Sequence, residues 1–240
     1  MLAAAAAAAL VSLTGCQKTE DAAFGSKVRA YLLEHPEVIE EAITKLQEKK
    51  QAEAAGAAKA ALEKGRAALE RDPRDFVANP SGKITVTEFY DYRCGYCKLA
   101  APEVGKLVEQ NPDVRFVFKE FPIFGGVSNA AASILLTPQA KPKTLQLHAA
   151  FMAEKSLDEA AIERHLRAAG VDVNAAKAAA SSDAVQKHMQ DTHALAQALQ
   201  IEGTPAFIIG DRIIPGADMD AVKAAIADAR TGKLKTIPSA

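Results

Sequence analysis

A strand-period pattern gives way to a helical one within four residues, at Cys94-Gly95-Tyr96-Cys97, and that junction limits the chain to a small set of folds. Ile84, Val86 and Phe89 lie in a β-branched and aromatic run from Ile84 to Tyr92, whereas Leu99, Val104, Leu107 and Val108 recur at helical spacing. The two cysteines therefore fall in the first turn of a helix that a strand feeds directly. Backbone N–H groups lack partners there and the helix dipole is positive, which favours a thiolate at Cys94. A free thiol of pKa about 8.5 is only a few per cent ionised at neutral pH, so a downward shift of about two units makes the nucleophile abundant. The pair reads as a redox site acting on other thiols and disulfides.

Half of a zinc site is the competing reading of Cys-x-x-Cys. Zinc takes about four ligands, and the chain has three cysteines with five histidines, His35, His148, His165, His188 and His193, in no Cys- or His-rich partner motif. His188 and His193 are five apart on a helical stretch and so do not share a face. All five histidines read as surface or packing residues, and neither a metal nor an organic cofactor is expected.

The third cysteine belongs to a different segment. Residues 2–13 form an apolar, alanine-rich run ending in Leu13-Thr14-Gly15-Cys16, which resembles the lipobox of bacterial lipoproteins, cut before a cysteine that is then acylated. The run is shorter than the roughly 20 residues that span a bilayer and matches the apolar region of a signal peptide. Met1-Leu2 supplies no Lys or Arg for the basic region, so either the true start lies upstream or the signal is weak, and an ordinary secretory signal cut elsewhere stays open. Both readings export the protein to the periplasm or cell envelope, with lipidation at Cys16 in the first. A Cys-x-x-Cys can persist as a disulfide there. With 29 Lys+Arg against 30 Asp+Glu, the formal charge of -1 gives no electrostatic case for binding nucleic acid.

Beyond a signal segment at 1–20, two units are expected. The first, 21–72, is a helical extension: Phe24, Val28, Tyr31 and Leu32 form one apolar stripe, Pro36 restarts the helix, and Val38, Ile39, Ala42, Ile43 and Leu46 line one face. A charged, alanine-rich stretch follows from Gln47 to Glu70, and Asp72-Pro73 ends the unit. The stripe reads as a surface for pairing with copies of itself, a dimer or trimer, against the alternative of a helix folded back on its own domain. The second unit, 73–240, is expected to run β (75–78), β (84–92), α (94–110), β (114–121), a helical block at about 127–200, a hairpin around Gly210-Asp211, and α (219–230). That is an α/β thioredoxin fold with a helical insertion.

Further residues make the likeness specific. Glu88 matches the buried carboxylate that thioredoxin-like proteins carry beneath the disulfide, and Pro102 the proline that kinks the redox helix. Gly203-Thr204-Pro205-Ala206-Phe207 matches the loop whose proline is cis and faces the cysteines. Phe118-Lys119-Glu120-Phe121-Pro122-Ile123-Phe124-Gly125, with Ser128-Asn129-Ala130-Ala131 after it, looks like the strand exit and first insertion helix of the DsbA family. The chain thus resembles that family, and its Cys-Gly-Tyr-Cys and helical extension are more similar to the ScsC-like and Com1-like branch than to the monomeric oxidase with Cys-Pro-His-Cys.

The resemblance implies a thiol–disulfide oxidoreductase with Cys94 as nucleophile, Cys97 as resolving cysteine and Glu88 as proton carrier for Cys97. Thr204 and Pro205, with Gly95 and Tyr96, would contact substrate. Lys119 is expected to pair with Glu88 or reach solvent, Tyr90, Tyr92 and Tyr96 to pack around the groove, and Arg93 to orient substrate or do nothing. Expected partners are exported proteins with cysteines and a membrane redox partner. The preferred activity is disulfide isomerisation; the alternatives are a monomeric oxidase recycled by a quinone-linked membrane partner, a reductase, or a copper(I)-binding envelope protein.

Overall fold

The structure, a computed structural model, describes residues 15–234, with side chains from residue 23. The leader segment 1–14 and the Cys16 side chain lie outside what is described. The chain divides into two compact units, one ending at Ala55 and one beginning at Gly56.

In the first unit, α1 (Gly15–Glu34) stops just before Pro36, and α2 (Glu37–Glu70) starts beside it. A proline lacks the N–H that a continuing helix needs, but its fixed φ suits a helix start. Phe24, Tyr31, Leu33, Ile39, Ile43 and Leu46 are all exposed.

The second unit takes in α2 from Gly56 onwards, so Asp72-Pro73 closes the helix but not the unit. Its sheet has the order β1-β3-β2-β4-β5, from Phe76–Ala78, Ile84–Tyr90, Val114–Glu120, Ala206–Ile209 and Arg212–Pro215. β2 and β3 run parallel, and the other pairs are antiparallel. Both central strands are buried along their whole length, as expected where helices cover both faces. Strand alternation then sorts the helices. Val86, Tyr90, Phe116, Phe118 and Phe207 join the core under α3 (Gly95–Gln110). On the opposite face, Phe89, Phe121, Ala206 and Ile208 pack with Leu62 and Leu69 of α2 and with Ala196 of α8 (Asp183–Ala198).

The insertion consists of α4 (Gly126–Leu135), a 3₁₀ turn at Lys141–Lys143, α5 (Thr144–Ala153), α6 (Glu159–Ala168), α7 (Val173–Ala180) and α8. Asp158, Asp172 and Ser182 each cap the helix they precede by accepting a backbone N–H three residues on. The last helix, α9 (Met219–Arg230), is capped in the same way by Asp218.

The last carbonyls of α2 are received by sheet side chains. Thr87 Oγ1 donates to the Leu69 carbonyl at 3.3 Å, Lys119 Nζ to that of Ala68 at 2.6 Å, and the Arg115 guanidinium to that of Glu70. These groups would otherwise be unpaired at a helix end, where cations also suit the dipole. Lys119, buried to 1 % exposure, completes its bonding with Asp75, which also meets His188 Nε2 at 3.0 Å. The expected Lys119–Glu88 pair is therefore absent. Glu88 stands in register with Phe118, so Lys119, one residue on, faces the other side of the sheet.

Candidate active site

β2 ends at Tyr90, two residues short of the expected Tyr92, and the chain turns at Asp91 into α3. Asp91 is almost wholly buried and fully bonded. Its Oδ1 accepts from the Arg93 N–H at 2.6 Å and the Ser128 hydroxyl at 2.7 Å; its Oδ2 accepts from the N–H groups of Ile123 and Phe124 at 2.7 and 3.0 Å. The residue thereby ties the turn before the cysteines to the segment entering the insertion. Sequence reasoning passed over it, although an aspartate accepting from the N–H two residues on is a recognised turn signal. Arg93 braces the same segment, donating to the Phe124 carbonyl at 2.9 Å.

Cys94 is the N-cap of α3, which begins at Gly95 rather than at the cysteine itself. Both thiols are free and buried, Cys94 at 4 % exposure and Cys97 at 0 %. Thr204-Pro205 is a cis peptide, and its loop lies against the first cysteine: the Cys94 Sγ donates to the Thr204 carbonyl at 3.1 Å. Burial pushes the Cys97 thiol well above its ordinary range, and the Glu88 charge adds to this; hydrogen bonding with the Asp91 backbone only partly offsets it.

Glu88 lies in the core beneath these residues, with Oε2 lacking a hydrogen-bond partner among the described residues. Burial alone moves its carboxyl up to about 8. Beside the buried thiols on α3, Tyr96 and Leu99 are exposed. Of the three tyrosines expected at the groove, only Tyr96 is at the surface. Tyr90 and Tyr92 are buried and both donate to Glu120 Oε1, at 2.5 and 3.0 Å.

A dithiol at the start of a helix, a facing cis-proline loop and a carboxyl beneath them, carried on a central sheet with a helical insertion, define the thioredoxin class of thiol–disulfide oxidoreductases. The comparisons agree. A family model described as Thioredoxin matches residues 75–228, and one described as Copper resistance protein ScsC N-terminal domain matches residues 20–53. Among solved structures, a thioredoxin-like oxidoreductase from Silicibacter pomeroyi is 36% identical with a TM-score of 0.65, over 69% of this chain and 98% of that one. Proteus mirabilis ScsC in a transitional conformation is 32% identical with a TM-score of 0.65, over 92% of this chain and 100% of that one. The thiol:disulfide interchange protein DsbA of Bordetella pertussis is 32% identical over 138 residues, 55% of this chain and 65% of the relative. The match thus spans just under two thirds of that relative's length. The chain belongs to the thioredoxin family and, within it, to the ScsC-like part of the DsbA family.

Proposed function

We propose that this chain exchanges disulfides in exported proteins through Cys94 and Cys97, and that it works chiefly as an isomerase. The observation that carries the exchange reading is the Cys94 Sγ held 3.1 Å from the Thr204 carbonyl, beside the loop that a substrate backbone would meet. In this reading the Cys94 thiolate attacks a substrate disulfide, forming a Cys94–substrate bond and expelling the other substrate sulfur as a thiolate. Cys97 then either attacks Cys94, releasing a reduced substrate and leaving the Cys94–Cys97 disulfide, or is outrun by a second substrate thiolate that restores Cys94 and leaves a new substrate disulfide. The first branch needs a membrane redox partner to return the pair to its dithiol form. The second is isomerisation and needs none.

Cys97 must lose its proton to attack and regain one when it leaves. Glu88 is the nearby carboxyl suited to that transfer, since a group titrating at about 8 exchanges protons readily near neutral pH. Glu88→Gln is expected to slow turnover by about 10²-fold while leaving the first attack by Cys94 nearly intact. An unchanged turnover rate from pH 6 to 8 would reduce Glu88 to a structural role. Stability gives a second readout. A carboxyl raised from an ordinary 4.5 to about 8 favours the fold below pH 4.5, and this contribution is lost as pH rises through about 8. The melting temperature of Glu88→Gln should therefore exceed that of the parent by more at pH 9 than at pH 5.

The isomerase direction is supported by the match of residues 20–53 to the ScsC N-terminal domain and by the exposed Phe24, Tyr31, Leu33, Ile39, Ile43 and Leu46 in that stretch. Paired through such a face, two or three catalytic units raise the local concentration of a second Cys94 near a substrate held by the first. Export to the envelope, with Cys16 as the acylated first residue of the mature chain, belongs to the same proposal. One preparation of envelope-purified protein tests all of it. Light scattering should give a dimer or trimer, scrambled ribonuclease should regain activity, and the intact mass should show a lipidated Cys16. A monomer that oxidises reduced ribonuclease but cannot unscramble it would leave the oxidase reading in its place.

A further inference from the structure

Asp91, Tyr92, Arg93 and Cys94 form the link between the last residue of β2, Tyr90, and the first of α3, Gly95. Cys94 is the N-cap, yet its side chain makes no capping bond. Two N–H groups of the link end on Asp91 instead. That of Arg93 donates to Oδ1 at 2.6 Å, and that of Cys94 donates to the Asp91 backbone carbonyl at 3.1 Å. The Asp91 backbone also hydrogen-bonds with the Cys97 thiol. One residue therefore bonds with both cysteines of the pair.

Asp91 is itself held from a distant part of the sequence. Ser128 on α4 donates its hydroxyl to Oδ1 at 2.7 Å, and the N–H groups of Ile123 and Phe124 donate to Oδ2 at 2.7 and 3.0 Å. Asp91 is 1 % exposed and Ser128 0 %, so these bonds are shielded from water, where bonds to an ionised acceptor are strongest. The place of the turn is thus set from the insertion side, through one buried carboxylate.

We propose that Asp91 is a positioning residue for the resolving step, pinning the Tyr92-Arg93 turn to the insertion so that the Cys94 sulfur stands in line for attack by Cys97. The inference rests on the roles proposed above for the two cysteines. In that step the Cys97 sulfur bonds to Cys94 Sγ, the Cys94–substrate bond breaks, and the substrate sulfur leaves as a thiolate. Both reacting groups belong to the fold, and a misplacement of about 1 Å can cost about 10²-fold. The first attack is less demanding, because a disulfide arriving from solution can adjust its approach to Cys94.

Asp91→Asn acts on this arrangement directly. Each carboxylate oxygen accepts two bonds, whereas an amide offers one oxygen and an NH2 group. Turned toward Ile123 and Phe124, that NH2 opposes two N–H groups. Turned the other way it opposes only that of Arg93, because the Ser128 hydroxyl can rotate to accept. The less costly orientation therefore strips the acceptor from the residue just before Cys94.

The test uses the reduced full chain carrying Cys16→Ser, so that Cys94 and Cys97 are its only thiols, mixed with dithiobis(nitrobenzoate). Attack by Cys94 forms a mixed disulfide and releases one thionitrobenzoate at a rate proportional to reagent. Attack by Cys97 closes the Cys94–Cys97 disulfide and releases the second at a rate independent of it. Asp91→Asn should slow the second release by about tenfold or more and the first by no more than about twofold. Ser128→Ala removes one of the donors without altering the redox turn's own sequence, and should slow the second release about threefold. A merely structural Asp91 would lower the melting temperature and leave the ratio of the two rates at the parent value. Equal slowing of both releases, or a parent ratio in either folded variant, overturns the proposal, and Ser128→Ala decides it if Asp91→Asn does not fold. Failure of the exchange reading shows elsewhere: Cys94→Ser would keep the fast first release, or the parent's second release would depend on reagent.

Discussion

Cys94→Ser is expected to lower disulfide exchange by about 10³-fold or more, because it removes the one atom that forms the bond to substrate. Cys97→Ala should behave oppositely at the first step, attacking normally and then accumulating mixed disulfides visible on a non-reducing gel. The asymmetry comes from where the two sulfurs sit. Cys94 caps the helix, and its sulfur touches the Thr204 carbonyl of the loop a substrate would meet. Cys97 is 0 % exposed, and burial pushes its thiol up, so at neutral pH it is a neutral group with only Cys94 within reach. If Cys97→Ala reduces insulin at the parent rate, or if substrate is found joined to Cys97 in the Cys94→Ser variant, the assignment of the two roles fails.

The element order was legible because the hydrophobic period changes at each boundary that matters, most sharply at Cys94. Glu88 was legible through its place on the strand feeding the cysteines; it is buried, and its charge acts on the Cys97 thiol. Lys119 was misplaced for a reason that lies in the register. Assigning its partner requires knowing that Glu88 pairs with Phe118, which sends Lys119 to the α2 face and to Asp75. The tyrosines show the same limit. Tyr90 and Tyr92 read from sequence as groove residues, yet both point into the core, where Glu120 and His148, distant in sequence, supply their partners. Such contacts depend on the β2–β3 pairing and the return of α5, neither of which leaves a local signal. Asp91 differs, since its turn is local and its spacing to Arg93 was readable.

A chain beginning at Pro73 is expected to be unfolded or nearly so at 25 °C, whereas one beginning at Gly56 should fold cooperatively. Composition alone suggests cutting at Asp72-Pro73, but the compact unit begins at Gly56. The difference is the last stretch of α2, which buries Leu62 at 2 % exposure and Leu69 at 1 % against Phe89, Ala206 and Ile208. Losing a buried leucine costs about 2–5 kcal/mol, so the two together remove roughly 4–10 kcal/mol. A domain's whole stability is about 5–15 kcal/mol. The cut also takes the carbonyls of Ala68, Leu69 and Glu70 away from Lys119, Thr87 and Arg115, leaving buried donors without acceptors. Urea unfolding followed by circular dichroism measures this directly, and equal midpoints for the two chains would refute it. The point bears on function. Ala206 directly follows Pro205, so α2 supports the back of the strand that leaves the Thr204-Pro205 loop. Lost disulfide exchange in a chain cut at Pro73 would therefore reflect a damaged site as much as the loss of residues 21–55. Only the chain beginning at Gly56, which keeps that support and lacks the apolar stripe, separates the two.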